Sequence, residues 1–134
     1  MTERPDILVV DDDPTVREML GMTLGDEFRV RFAATGGDAI SELAQRPPVA
    51  MLLDVAMPGV DGYDVLEVRR QQGLAPSTCV VMLSAEDDGR ALVRSWALGA
   101  DCYLTKPIDP DVITGKLHSH IAAVAARLTA DAPS

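Results

Sequence analysis

Five apolar residues closed by an aspartate, Val49-Ala50-Met51-Leu52-Leu53-Asp54, constrain this chain more than any other stretch. Pro47-Pro48 lead into the run, and Met57-Pro58-Gly59 break the backbone after it. A continuous apolar run of this kind reads as a strand buried on both faces, as found inside a parallel sheet. Asp54 then stands at the carboxyl edge of a central strand, where open α/β sheets place their ligands. A lone aspartate after a strand is ordinarily a loop cap. Its companions elsewhere in the chain decide otherwise.

The rest of the chain alternates strand and helix. Ile7-Leu8-Val9-Val10 is a first buried strand running into Asp11-Asp12-Asp13-Pro14, where Asp13 caps a helix that has proline at its first position. Val16, Met19, Leu20, Thr23 and Leu24 mark the inner face of that helix, which Gly25 closes. Arg29–Ala33 alternates apolar and polar residues, as a strand near a sheet edge does. Thr35 and Asp38 have capping-box form, ahead of Ala39, Ile40, Leu43 and Ala44. A third helix covers about Tyr63 to Gln72, with Val65 and Leu66 inward. Cys79–Leu83 is another buried strand, ended by Ser84-Ala85-Glu86. Asp87-Asp88 open a fourth helix patterned by Ala91, Leu92, Ser95, Trp96 and Leu98. Cys102–Thr105 is the fifth strand, followed by Lys106-Pro107. Asp109-Pro110 repeats the cap-and-proline device before a long helix striped by Ile113, Leu117, Ile121, Val124 and Leu128. Strict alternation predicts an α/β fold, a five-stranded parallel sheet with five helices on both faces, joined by right-handed crossovers. Residues 5–128 make one domain, with residues 1–4 and 129–134 expected to be loose.

Composition narrows the function. A net charge of −9 argues against gripping nucleic acid phosphates or an anionic membrane. No apolar run approaches the ~18 residues of a membrane span, and Met1–Asp6 has no signal-peptide core. Cys79 and Cys102 lack metal spacing and read as reduced thiols, which suits a cytoplasmic protein.

Strands that all point one way share one carboxyl edge. Asp11 and Asp12, Asp54, Ser84 and Lys106 follow four of those strand ends. Three carboxylates gathered there repel, and a divalent cation relieves that repulsion. Mg²⁺ fits, because it needs only one or two carboxylates, keeps several waters and takes phosphate oxygens readily. Lys106 adds a compact cation and Ser84 a hydroxyl donor. A carboxylate so flanked is equipped to attack phosphorus.

Val10–Pro14, Asp54–Gly62, Leu83-Ser84-Ala85 and Gly99–Pro107 together resemble a bacterial response-regulator receiver domain of the chemotaxis-regulator kind, over residues 5 to 126. The resemblance implies the flavodoxin-like doubly wound fold with strand order 2-1-3-4-5. It implies Asp54 as phosphoacceptor, Asp12 as a direct Mg²⁺ ligand, Asp11 as a ligand through water, and the Ala56 carbonyl as a backbone ligand. Lys106 and Ser84 would hold phosphoryl oxygens, and Tyr103 would swing inward behind Ser84. The phosphoryl donor would be a phosphohistidine on a sensor histidine kinase or a histidine phosphotransfer protein. The surface of the fourth helix, fifth strand and fifth helix would meet a downstream protein or a second copy of the chain, with Leu92, Trp96 and Tyr103 as interface candidates. A cis Lys106–Pro107 bond is expected.

Competing assignments stay open at this level. Trp96 could fill core instead of forming an interface. Asp13 is a cap rather than a third metal ligand, and His118 and His120 are expected to be solvated. Ala56 and Glu86 stand where receivers tune phosphoryl lifetime. An aspartate-nucleophile phosphatase would want a second Asp at the place of Ala56. A flavodoxin-like nucleotide binder would share the fold but not Asp11-Asp12-Asp13. The chain could be a single-domain regulator, or a receiver cut from a longer regulator with a DNA-binding or enzymatic output, with Ala122–Leu128 continuing as a connecting helix.

Overall fold

The computed structural model describes residues 4–85 and 89–130. Strands β1 (Asp6–Val10), β2 (Arg29–Ala33), β3 (Ala50–Asp54), β4 (Cys79–Ser84) and β5 (Cys102–Thr105) form one sheet in the order β2-β1-β3-β4-β5. Every neighbouring pair is parallel. Helices α1 (Pro14–Leu24), α2 (Gly36–Gln45), α3 (Gly62–Gln72) and α4 (Gly89–Ala97) make the crossovers, and α5 (Pro110–Ala130) follows the last strand.

Successive strand residues point to opposite faces, so the sheet feeds two apolar layers. Ile7, Val9, Leu52, Val81 and Leu83 pack with Leu20 and Leu24 of α1 and with Ile113, Leu117 and Val124 of α5. Leu8, Val10, Met51, Leu53, Val80 and Met82 face Ala39 and Leu43 of α2 and Val65 and Leu66 of α3. β3 and β4 are buried at every position, as their unbroken apolar runs require. Burying a side chain of this size contributes about 1.5–3 kcal/mol, so these central strands anchor the edge that carries the polar residues.

Helix starts follow local chemistry. The Asp13 carboxylate accepts from Thr15 N at 2.9 Å with Pro14 next in line. Thr35 Oγ1 accepts from Asp38 N at 3.0 Å, and Asp109 Oδ1 accepts from Asp111 N at 2.9 Å. A full capping box stands at α3, where Asp61 and Asp64 bond each other's backbone at 2.9 and 3.0 Å.

Several expectations need correction. Val49 is 39 % exposed and lies before β3, which begins at Ala50. Ala44 and Leu128 face solvent, because α2 and α5 turn those positions off the sheet, and Met19 sits at the rim of α1. His118 is exposed, as expected, and it also stacks on Phe28 at 4.8 Å between ring centroids, with Nε2 at 3.0 Å from Glu27 Oε1. Helix α5 runs to Ala130, into the stretch read as tail. Residues 1–3, Glu86, Asp87, Asp88 and 131–134 lie outside the described residues, and with them the expected start of the fourth helix. The Lys106–Pro107 bond is cis. Both cysteines are free and buried, and burial pushes the Cys79 thiol up to about 12, so it stays protonated and inert. No described helix is long and apolar enough to cross a membrane.

Candidate functional site

The polar residues meet where the strands end. Register places Val10 opposite Leu53 and Leu53 opposite Met82, so β1, β3 and β4 finish nearly level. Asp11 follows β1, while Asp54 and Ser84 are the last residues of β3 and β4; all three are buried, at 0, 4 and 3 % exposure. Lys106 follows β5, one residue beyond Thr105, which pairs with Ser84. Its ammonium lies 3.0 Å from Asp11 Oδ2 and 3.2 Å from Asp54 Oδ1. Asp12 is exposed at the mouth, and Asp11, Asp12 and Asp54 each offer a carboxylate oxygen within 4.8 Å of the others.

Backbone contacts hold this arrangement. Asp13 N donates to Asp11 Oδ1 at 3.0 Å, and Ala56 N donates to Asp54 Oδ1 at 3.4 Å. Lys106 N donates to Ser84 O at 2.7 Å, which links the hydroxyl-bearing and ammonium-bearing strand ends through the main chain. The loop after Asp54 is pinned at both ends, by Val55 N to Leu83 O at 2.9 Å and by Gly62 N to Val55 O at 3.0 Å. A Cβ at Gly62 would stand 2.5 Å from the Asp54 carbonyl oxygen, so only glycine lets α3 start this close.

The charges are unbalanced. Burial first, and the Asp11 charge second, raise the Asp54 carboxyl above its ordinary 3.8, with Lys106 opposing both. Burial pulls the Lys106 ammonium down, but its hydrogen bond to Asp11 and the two carboxylate charges outweigh that and leave it raised. One lysine therefore faces three carboxylates, two of them withdrawn from water. The pocket attracts further positive charge.

The sequence pattern did not single out Arg17. This half-buried side chain on α1 donates from Nη1 to the Asp11 carbonyl at 2.8 Å and steadies the acidic turn. The signal available was an arginine beside Val16, on the helix edge nearest the core. Tyr103 is half-buried on β5 against the layer that holds Val10 and Met82. On α4, Ala91 and Ser95 face inward, Leu92 is half-buried and Trp96 is 58 % exposed, so the core-filling assignment for Trp96 falls. Arg94 stacks its guanidinium 4.0 Å over the Tyr63 ring, tying α4 to the start of α3.

An acidic pocket beside one lysine, at the carboxyl edge of a doubly wound parallel sheet, defines a class: an α/β domain shaped to hold a hard cation and an anionic group side by side. The comparisons narrow that class. The family model for the response regulator receiver domain matches residues 7–118. DNA-binding response regulator MtrA of Mycolicibacterium smegmatis is 36% identical over 121 residues, which is 90% of this chain and 52% of that protein. Response regulator Rre1 of Synechocystis is 34% identical over 124 residues, 91% of this chain and 54% of that protein. The chain thus spans about half the length of these curated relatives. Among solved structures, the chemotaxis protein CheY4 of Vibrio cholerae superposes with a TM-score of 0.82 at 28% identity, covering 88% of this chain and 99% of that one. The chain belongs to the response-regulator receiver domain family, the signalling modules of two-component systems.

Proposed function

We propose that Asp54 accepts a phosphoryl group from a phosphohistidine on a sensor histidine kinase or a histidine phosphotransfer protein. An Asp54 carboxylate oxygen attacks phosphorus. The new O–P bond forms as the P–N bond breaks, and the departing imidazole nitrogen keeps the electron pair and takes up a proton. The observation that carries this reading is the Lys106 ammonium within hydrogen-bond reach of both Asp11 and Asp54. It stands ready to neutralise an equatorial phosphoryl oxygen, and the Ser84 hydroxyl, across one strand pairing, can donate to another.

The donor set suits Mg²⁺: oxygen ligands only, two buried carboxylates and one exposed, with too little positive charge among them. Asp12 and Asp54 would hold the ion directly, Asp11 through water, and Ala56 through its carbonyl. When bound, the ion neutralises charge developing on the phosphoryl oxygens. Asp54 is the nucleophile of its own modification, so the domain signals rather than turning over external esters.

Phosphorylation then shifts a two-state equilibrium. Moving a conformer from 1:99 to 99:1 takes about 5.5 kcal/mol, and hydrogen bonds to charged groups contribute about 1.5–3 kcal/mol each. Two or three such bonds, from Ser84, Lys106 and loop amides, supply that. Tyr103 follows Ser84 inward, and the surface of α4, β5 and α5 changes its affinity for a downstream protein or a second copy, with Leu92 and Trp96 in contact. This work is placed in the cytoplasm, with no nucleic acid bound by the domain itself. A second arrangement, an output domain in the same polypeptide, is favoured by the half-length coverage of MtrA and Rre1.

Incubation with acetyl phosphate and Mg²⁺ is expected to add one phosphoryl mass to the intact chain, and Asp54→Asn to abolish it. An unlabelled wild type would overturn this assignment, and flavin absorbance after purification would favour a nucleotide-binding one.

A further inference from the structure

The loop that follows Asp54 is held at Val55 and Gly62, and between those anchors Pro58, Gly59 and Val60 lie exposed. Against that outer arc stands the first residue of α2. A Cβ built on Gly36 would lie 2.3 Å from the Val60 carbonyl oxygen, 2.7 Å from Val60 Cγ1 and 2.9 Å from Val60 Cβ. The nearest of these is backbone and cannot rotate away. Gly36 has no positive φ, so its helical geometry would accept any L residue; only the neighbouring loop forbids one. Its neighbour makes the contrast. A Cβ on Gly37 would meet nothing closer than Thr35 Oγ1 at 4.0 Å.

We infer that Gly36 is a positioning residue for the phosphoacceptor: its bare backbone lets the start of α2 act as a backstop that fixes the loop from Val55 to Asp61. That loop carries the Ala56 amide, which donates to Asp54 Oδ1, and the Ala56 carbonyl. A side chain at position 36 drives the Val60 carbonyl outward. The displacement runs along a short arc with fixed ends, so it is passed back to Ala56 and to the hydrogen bond that orients Asp54. α2 contributes no group to the reaction, and it acts through the loop. This rests on the proposed role of Asp54.

The test compares Gly36→Ala with Gly37→Ala, the same change one residue apart in the same helical turn. Amide chemical shifts of Ala56 and Gly59, recorded without any phosphoryl donor, are expected to move in the first variant and stay in place in the second. With acetyl phosphate and Mg²⁺, Gly36→Ala is expected to lower the saturating labelling rate by about tenfold to a hundredfold, the scale of a small misplacement of a reacting group. The donor concentration at half-saturation should change little, and Gly37→Ala should label at the wild-type rate. Unmoved loop shifts and an unchanged rate in a folded Gly36→Ala would overturn the inference, even if its melting temperature fell. Equal slowing by Gly37→Ala would overturn it too, because helix flexibility would then be the cause. Should Gly36→Ala fail to fold, Val60→Gly removes the branched side of the same contact; a folded Val60→Gly with wild-type shifts and rate counts against the backstop. A wild type that never labels speaks against the role of Asp54, while the donor-free shifts still judge the backstop.

Discussion

One aspartate opens strand β1 and another follows its last residue, and the two meet different fates. At its start, Asp6 is held by Arg31 Nε and Nη2 at 3.0 Å each. The same guanidinium reaches Glu42 through Nη1 and donates to the Arg46 carbonyl at 2.7 Å. Just past its other end, Asp11 shares the Lys106 ammonium with Asp54 at 3.0 and 3.2 Å. Both clusters place one cation between two carboxylates. In the first, a planar fork engages its partners along fixed directions, and both carboxylates keep about a third of their surface in water. In the second, a point charge faces two carboxylates whose side chains alone are 1 and 6 % exposed, with Asp12 adding a third. The saturated cluster braces the fold. The unsaturated one has valence left for a ligand.

Swapping out each cation separates the two. Lys106→Met is expected to lower the saturating labelling rate by about a hundredfold, the scale of removing one preorganised charge, and to cost about 3 kcal/mol of stability. Acetyl phosphate kinetics and urea unfolding check both effects. Arg31→Met is expected to cost about 2 kcal/mol, below the fully buried range because its partners are partly wet, and to leave the labelling rate alone. If Arg31→Met slows labelling as much as Lys106→Met does, the contrast between the ends is false.

The smallest effect concerns pH. The folded Asp54 carboxyl is raised, so between 3.8 and that raised value the native state binds more protons than the unfolded one. Stability from this group is therefore greatest at low pH and falls as pH rises through the window. Asp54→Asn removes that decline: at pH 7 it should melt above the wild type, and below pH 3.8 the difference should vanish. A wild type that melts higher at both pH values would show that the pocket is already balanced.

The acidic edge was legible because its signals are local: an apolar run ends, a polar residue follows, and parallel strands bring such ends together. The caps at Asp13 and Asp109 were legible for the same reason. The Arg31 cluster was not, because its partners lie 25 and 11 residues away and an alternating strand looks the same whether its arginine is wet or clamped. Helix periodicity overstated the inner faces at Ala44 and Leu128, since it marks which side is apolar but not where the sheet beneath stops. Asp61 and Asp64 form a reciprocal capping box at α3, although Asp stands where the motif usually has Glu. Gly36 carries no periodic signal; its meaning lies in Val60, across the fold.

The main-chain bond from Lys106 N to Ser84 O gives two side chains a common carriage. Under the role proposed for Asp54, a displacement of either side chain would be shared by β4 and β5 and so reach a broad face of the molecule instead of a single spot.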